Sequence, residues 1–142
     1  MFNTAHIHPM VVHFPIALII VGFVADIASL LYKKEKCLST IGFYLEVLGM
    51  LAAIVAFGTG YFFTSPMDGE AGAMRDKHEF FAIFTLVSII IAAAFRILLV
   101  YLKKEGTNLK YVALGLFFLS FVFVSITGYL GGILVMEYLL GI

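Results

Sequence analysis

The chain has 142 residues, 63% of them hydrophobic and only 13% charged. Soluble domains carry roughly 25% charged residues, so this composition excludes an ordinary water-soluble domain and points to a lipid bilayer. Nine basic and nine acidic residues cancel, which argues against a nucleic-acid partner, and the single Cys37 excludes an internal disulfide and a cysteine-based zinc site.

The chain opens on Ala5-His6-Ile7-His8-Pro9-Met10-Val11-Val12-His13-Phe14-Pro15, which holds three of its four histidines. No Lys or Arg precedes this segment, so it lacks the positive region of a signal peptide. The first apolar run covers about 11–32 and closes on Lys33-Lys34-Glu35-Lys36, as a stop-transfer anchor would. Proline suits the first helical turn, so the first helix is expected to begin at Pro9 or Pro15. Further runs follow at about 41–63, 80–102 and 111–140. Each has the ~20 residues needed to cross ~30 Å of hydrocarbon, and a β-barrel strand would be far shorter and would alternate. The segment 64–77 is read as a loop, and the fourth histidine, His78, opens the third run. The short connections predict an all-α, up-and-down four-helix transmembrane bundle, a single domain over 1–142 built as two helical hairpins.

Lysine sets the orientation. The first connection carries Lys33, Lys34 and Lys36, and the third carries Lys103, Lys104 and Lys110. The second has only Arg75 and Lys77, offset by Asp68, Glu70 and Asp76. The positive-inside rule puts the first and third connections in the cytoplasm, with both termini and all four histidines outside. The expected location is a bacterial inner membrane.

A tandem duplication is visible. An offset of 70 takes Lys33-Lys34-Glu35 onto Lys103-Lys104-Glu105, His8 onto His78 and Asp26 onto Arg96, and an offset of 68 takes Thr59-Gly60-Tyr61 onto Thr127-Gly128-Tyr129. Such a repeat relates two hairpins by an axis along the membrane normal and sets His8 opposite His78.

Imidazoles gathered at one end of an apolar bundle have the chemistry of metal or haem ligands. A b-type haem needs one or two axial histidines and no covalent Cys-x-x-Cys-His attachment. Of the first segment, His8 or His13 is the expected partner of His78, and His6 is the least constrained. Glycines at 58, 60, 128, 131 and 132 would let the backbone approach a flat macrocycle. Arg75 and Lys77 are candidate partners for haem propionates, and Phe14, Phe62, Phe63, Phe80 and Phe81 candidate apolar walls. Met10, Met67, Met74 and Met136 also fall toward this end, so copper(I) on histidine and thioether ligands is the alternative occupant. Zinc is weaker, because no acid is spaced to complete a catalytic site. A cofactor-free assembly subunit, with histidines that only start helices, is the third reading.

Inside the spans the ionisable residues of the other half are Asp26, Glu46 and Arg96. Asp26 and Arg96 each lie about 10 Å inside the end of their helix, a depth that demands pairing. They are expected to form a structural ion pair, with Glu46 as a third member or a proton carrier.

The run Ile7-His8-Pro9-Met10-Val11-Val12-His13-Phe14-Pro15-Ile16-Ala17-Leu18 resembles the opening of a bacterial membrane family catalogued as domain of unknown function 2231. The likeness continues through Gly58-Thr59-Gly60, His78 and Gly131-Gly132-Ile133-Leu134-Val135. It implies a four-helix transmembrane core, and His8, His13 and His78 match the family's histidines. Members fused to c-type cytochrome modules imply a redox setting. The family often closes on Leu-Val-Tyr, a basic residue or histidine, and glycine. Here Leu134-Val135-Met136-Glu137-Tyr138 stands there, so the resemblance carries no ligand from the fourth span.

The resulting expectation is an electron carrier more than a catalyst, with haem b near the outer face and quinol or a periplasmic cytochrome as partner. Without a histidine in the other half, one chain would not carry electrons across the whole membrane. Membrane lipid surrounds it, and a homo-oligomer is compatible with the sequence.

Overall fold

A computed structural model describes residues 7–139. A short helix α1 (Ile7–Val11) leads into α2 (His13–Leu31), followed by α3 (Cys37–Phe63), α4 (Gly69–Tyr101) and α5 (Leu109–Ile133). Beyond α5 the coil widens into π-helical turns over Leu134–Leu139. Pro9 and Pro15 each sit in the opening turn of α1 and α2, where the missing N–H breaks no helical bond.

Among the described residues four helical segments are long and apolar enough to cross a membrane, so the fold is an all-α polytopic bundle. Their outward faces are apolar too: Leu31, Tyr61, Phe62 and Tyr101 are all exposed. A helix that is apolar on every side belongs in lipid.

Helix α4 departs from the expected third span. It begins at Gly69, so most of the segment read as a loop is helical and Arg75 and Lys77 lie on α4. The cause is local. Asp68 holds an extended N-cap backbone and Glu70 lies in the first turn, both suited to a helix start. The far end of α4 closes on Lys103 in the left-handed region at φ 55. There Lys104 N–H donates to Leu99 O and Lys103 N–H to Val100 O, a Schellman closure.

Helices α2 and α3 pack as one hairpin and α4 and α5 as the other. Neighbours around the bundle are α2–α3, α3–α4, α4–α5 and α5–α2, which leaves α2 and α4 on a diagonal. The buried positions repeat between hairpins. Pro15, Ile19, Gly22 and Asp26 of α2 correspond at the 70-residue offset to Thr85, Ile89, Ala92 and Arg96 of α4. With one residue more, Gly42, Glu46, Gly49 and Ala53 of α3 fall on Ala113, Phe117, Ser120 and Val124 of α5. The offset of 68 suggested by Thr-Gly-Tyr is therefore corrected by three residues: Gly60 corresponds to Gly131, not to Gly128. The three-residue match is fortuitous, whereas burial follows the helical repeat over the whole length.

Ile19 and Ile89, equivalent residues of the two hairpins, join Ala53, Phe117 and Val124 in the central cluster. Small residues let the helices close. A Cβ on Gly49 would come within 2.9 Å of Ile19 Cγ1, and one on Gly22 within 2.9 Å of Leu45 Cβ.

Candidate functional site

The two ends of the bundle carry two polar sites on the same diagonal. His78 and Arg96 lie eighteen residues apart on α4, ~27 Å along the axis, so the sites occupy opposite sides of the hydrocarbon.

At the histidine end, His8 of α1 and His78 of α4 face one another with ring centroids 6.4 Å apart and planes at 80°. Each ring is held from behind. His8 Nδ1 lies 3.1 Å from Ala56 O and 3.1 Å from Thr59 Oγ1, both on α3. His78 Nδ1 lies 3.0 Å from Thr127 O on α5. A carbonyl only accepts, so each Nδ1 carries a proton and donates it, and Nε2 is the nitrogen that a neutral ring would offer to a ligand.

The two seats are built alike. In each, the glycine four residues beyond the accepting carbonyl makes room for the ring. A Cβ on Gly60 would stand 2.9 Å from His8 Cε1, and one on Gly131 would stand 3.1 Å from His78 Cε1. Gly58 and Gly132 have no such neighbour, and Gly128 makes room for Ile16.

His13 is not brought into this pair. It is exposed at the start of α2, while His6 lies outside the described residues. Arg75 is half-buried one turn before His78 and donates to Thr64 Oγ1 at 3.5 Å; Lys77 is exposed. Phe14, Phe62, Phe63 and Phe80 are exposed, so these rings form the outer surface. Phe81 is half-buried against Phe123. Met10 and Met136 are exposed as well. Among the described residues no group of three His, Cys, Asp or Glu side chains gathers as a metal cage.

Sequence reasoning missed Thr59 and Thr127 as parts of the seats. Both were visible only as members of a repeated Thr-Gly-Tyr. Below them Thr127 Oγ1 meets Thr85 Oγ1 at 2.9 Å, closing a half-buried hydroxyl pair between α4 and α5.

At the lysine-rich end Arg96 and Asp26 form a two-pronged pair, Nη1 to Oδ2 at 2.8 Å and Nη2 to Oδ1 at 3.2 Å. Arg96 also donates to Ser39 O at 3.3 Å, Ser39 Oγ at 3.1 Å and Glu105 Oε1 at 3.3 Å. Ser39 and Glu105 were not anticipated from the sequence. Glu46 Oε2 is 3.9 Å from Arg96 Nη1, beyond hydrogen-bond reach. The buried guanidinium thus spends its donors on Asp26 and its neighbours, the arrangement that makes a buried charge tolerable.

No curated protein and no solved structure matches the chain. The family described as a predicted membrane protein, DUF2231, matches residues 4–142. With its four apolar helices and the histidine motif at their mouth, the chain belongs to the DUF2231 membrane protein family.

Proposed function

We propose that the protein binds a b-type haem between His8 and His78 and carries electrons at the histidine end of the bundle. One observation carries this reading: two imidazoles, each fixed by an Nδ1–carbonyl bond, stand with ring centroids 6.4 Å apart. A metal–imidazole bond is ~2 Å long and the ring centroid lies ~1 Å beyond its nitrogen, so two imidazoles sharing one ion would stand with centroids ~6 Å apart. The observed separation fits that requirement. Metal-bound histidines usually donate their other ring N–H to a carbonyl or carboxylate, which orients the ring and raises its basicity. Both rings have such a partner.

Bound haem would supply one-electron chemistry. The chain's part is to orient the two rings through their Nδ1–H groups and offer Arg75 and Lys77 as cations for the propionates. Glycine at 60 and 131 lets helices α3 and α5 approach the rings. A histidine offered from each hairpin would hold the group from both sides, which favours electron carriage over catalysis. Quinol is the proposed donor and a periplasmic cytochrome the acceptor. The lysines at 33, 34, 36, 103, 104 and 110 favour an inner-membrane orientation with the histidine end outward.

The experiment is an absorption spectrum of protein purified after expression with ample haem. A Soret band that shifts on reduction is expected, and its absence would overturn the reading. Metal analysis of the same sample separates the copper alternative, which predicts bound copper without that band.

A further inference from the structure

We propose that Glu46 is a proton-binding site within the membrane, filled from the lysine-rich end of the bundle. The side chain is 0% exposed, and neither carboxyl oxygen has a hydrogen-bond partner. Burying a carboxylate without partners costs several kcal/mol, and binding a proton removes the charge.

The neighbouring charges do not remove it otherwise. On α4, Arg96 is already engaged by Asp26 of α2, Ser39 and Glu105. Three carboxyl groups therefore surround one guanidinium, and Arg96 is the cation within ion-pair distance of Glu46 among the described residues. The buried residues of α5 are Ala113, Phe117, Ser120 and Val124, with no titratable group. The bond made is O–H on one Glu46 oxygen; hydronium gives up the proton and becomes water.

The fold does not require a carboxyl at this position. In the second hairpin the corresponding residue is Phe117, also 0% exposed. An apolar side chain fills the equivalent space, so the acid is an addition to the packing.

Space for water approaches Glu46 from one side. A cavity of about 60 Å³ opens at the lysine-rich end between Asp26, Ser29, Ser39, Arg96, Glu105 and Lys110. Leu30, Leu99 and Leu114 complete its wall, and the space is large enough for water with polar partners beside it. Arg96 lines it and its Nη1 lies 3.9 Å from Glu46 Oε2, so the space ends one side chain away from the acid, and a water molecule moving past the guanidinium would deliver the proton. The inference stands apart from haem binding and survives its failure.

Infrared spectroscopy of the protein in lipid vesicles tests it. At neutral pH a carboxylic-acid C=O band is expected that moves when glutamate is carboxyl-labelled with ¹³C and when water is replaced by D₂O. The band should vanish in Glu46→Gln and persist in Asp26→Asn and Glu105→Gln. Absence of a glutamate acid band from the wild-type protein, or its survival in Glu46→Gln, overturns the proposal. The isotope test uses the unaltered chain, so a folding defect in the variant leaves the proposal falsifiable. Filling the cavity by Ser39→Leu should slow the D₂O shift several-fold; an unchanged rate overturns the stated route.

Discussion

His8 and His78 meet across the diagonal of the bundle although seventy residues separate them, because each is the same residue of its own hairpin. Equivalent positions touch only where the relating axis passes, so the contact places both imidazoles on that axis. His8→Ala and His78→Ala should each abolish or shift the Soret band. His13→Ala should leave it in place, since His13 is exposed and apart from the pair. An unchanged spectrum in His78→Ala would remove that residue from the site.

The seats for the rings make a finer test. In a helix interior, Gly→Ala ordinarily gains about 1 kcal/mol. That gain should appear at Gly58, where a Cβ meets nothing. Gly60→Ala should reverse it, because the added carbon lies 2.9 Å from His8 Cε1 and must push the ring aside. Gly131→Ala, at 3.1 Å from His78 Cε1, should act in the same direction more weakly. Cofactor affinity and thermal midpoint measured side by side would separate the ring's displacement from a general loss of stability.

The ion pair at the other end predicts strong coupling. Removing one partner of a buried pair costs about 3–5 kcal/mol, because the other charge remains. Arg96→Met and Asp26→Leu should each fall in that range in reversible unfolding from mixed micelles. The double variant should recover a large part of the loss. Additive costs would show that the two charges do not depend on one another.

Lys103 offers a prediction of the opposite sign. A side chain at φ 55 carries steric strain of about 1–2 kcal/mol that glycine lacks. Lys103→Gly should therefore raise stability by up to about 1 kcal/mol, as glycine usually occupies this closure. A loss of stability would mean that the lysine's charge or stem matters more than its backbone.

The four spans were legible because hydrocarbon thickness demands long apolar runs, and length and composition report those directly. The start of α4 was not, since an apolar window begins only after Lys77, while the helix begins at the cap formed by Asp68. The offset of 70 was readable from charged and histidine positions, which are rare in this chain. The register of α3 against α5 was hidden in apolar sequence, where short matches arise without meaning. His8 and His13 part company because five residues on a helix that stays continuous through Val12 (φ -61, ψ -22) turn them roughly 140° apart, so that one reaches α3 and the other is exposed. Spacing separates the two faces but does not say which of them packs against α3. Ser39 and Glu105 joined the Arg96 site through a connection and a helix start, parts of the chain that hydropathy does not describe.

The shared diagonal has an evolutionary corollary. A single hairpin pairing with a second copy of itself about this axis would bring two identical histidines together, and such a pair can hold one ion symmetrically. The same dimer would set two aspartates or two arginines against each other at the lysine-rich end, and like charges there repel. Only once the two hairpins were joined in one chain could that position become Asp26 in one half and Arg96 in the other. The histidine pair is a feature that symmetry alone could supply, whereas the ion pair required that symmetry to be broken.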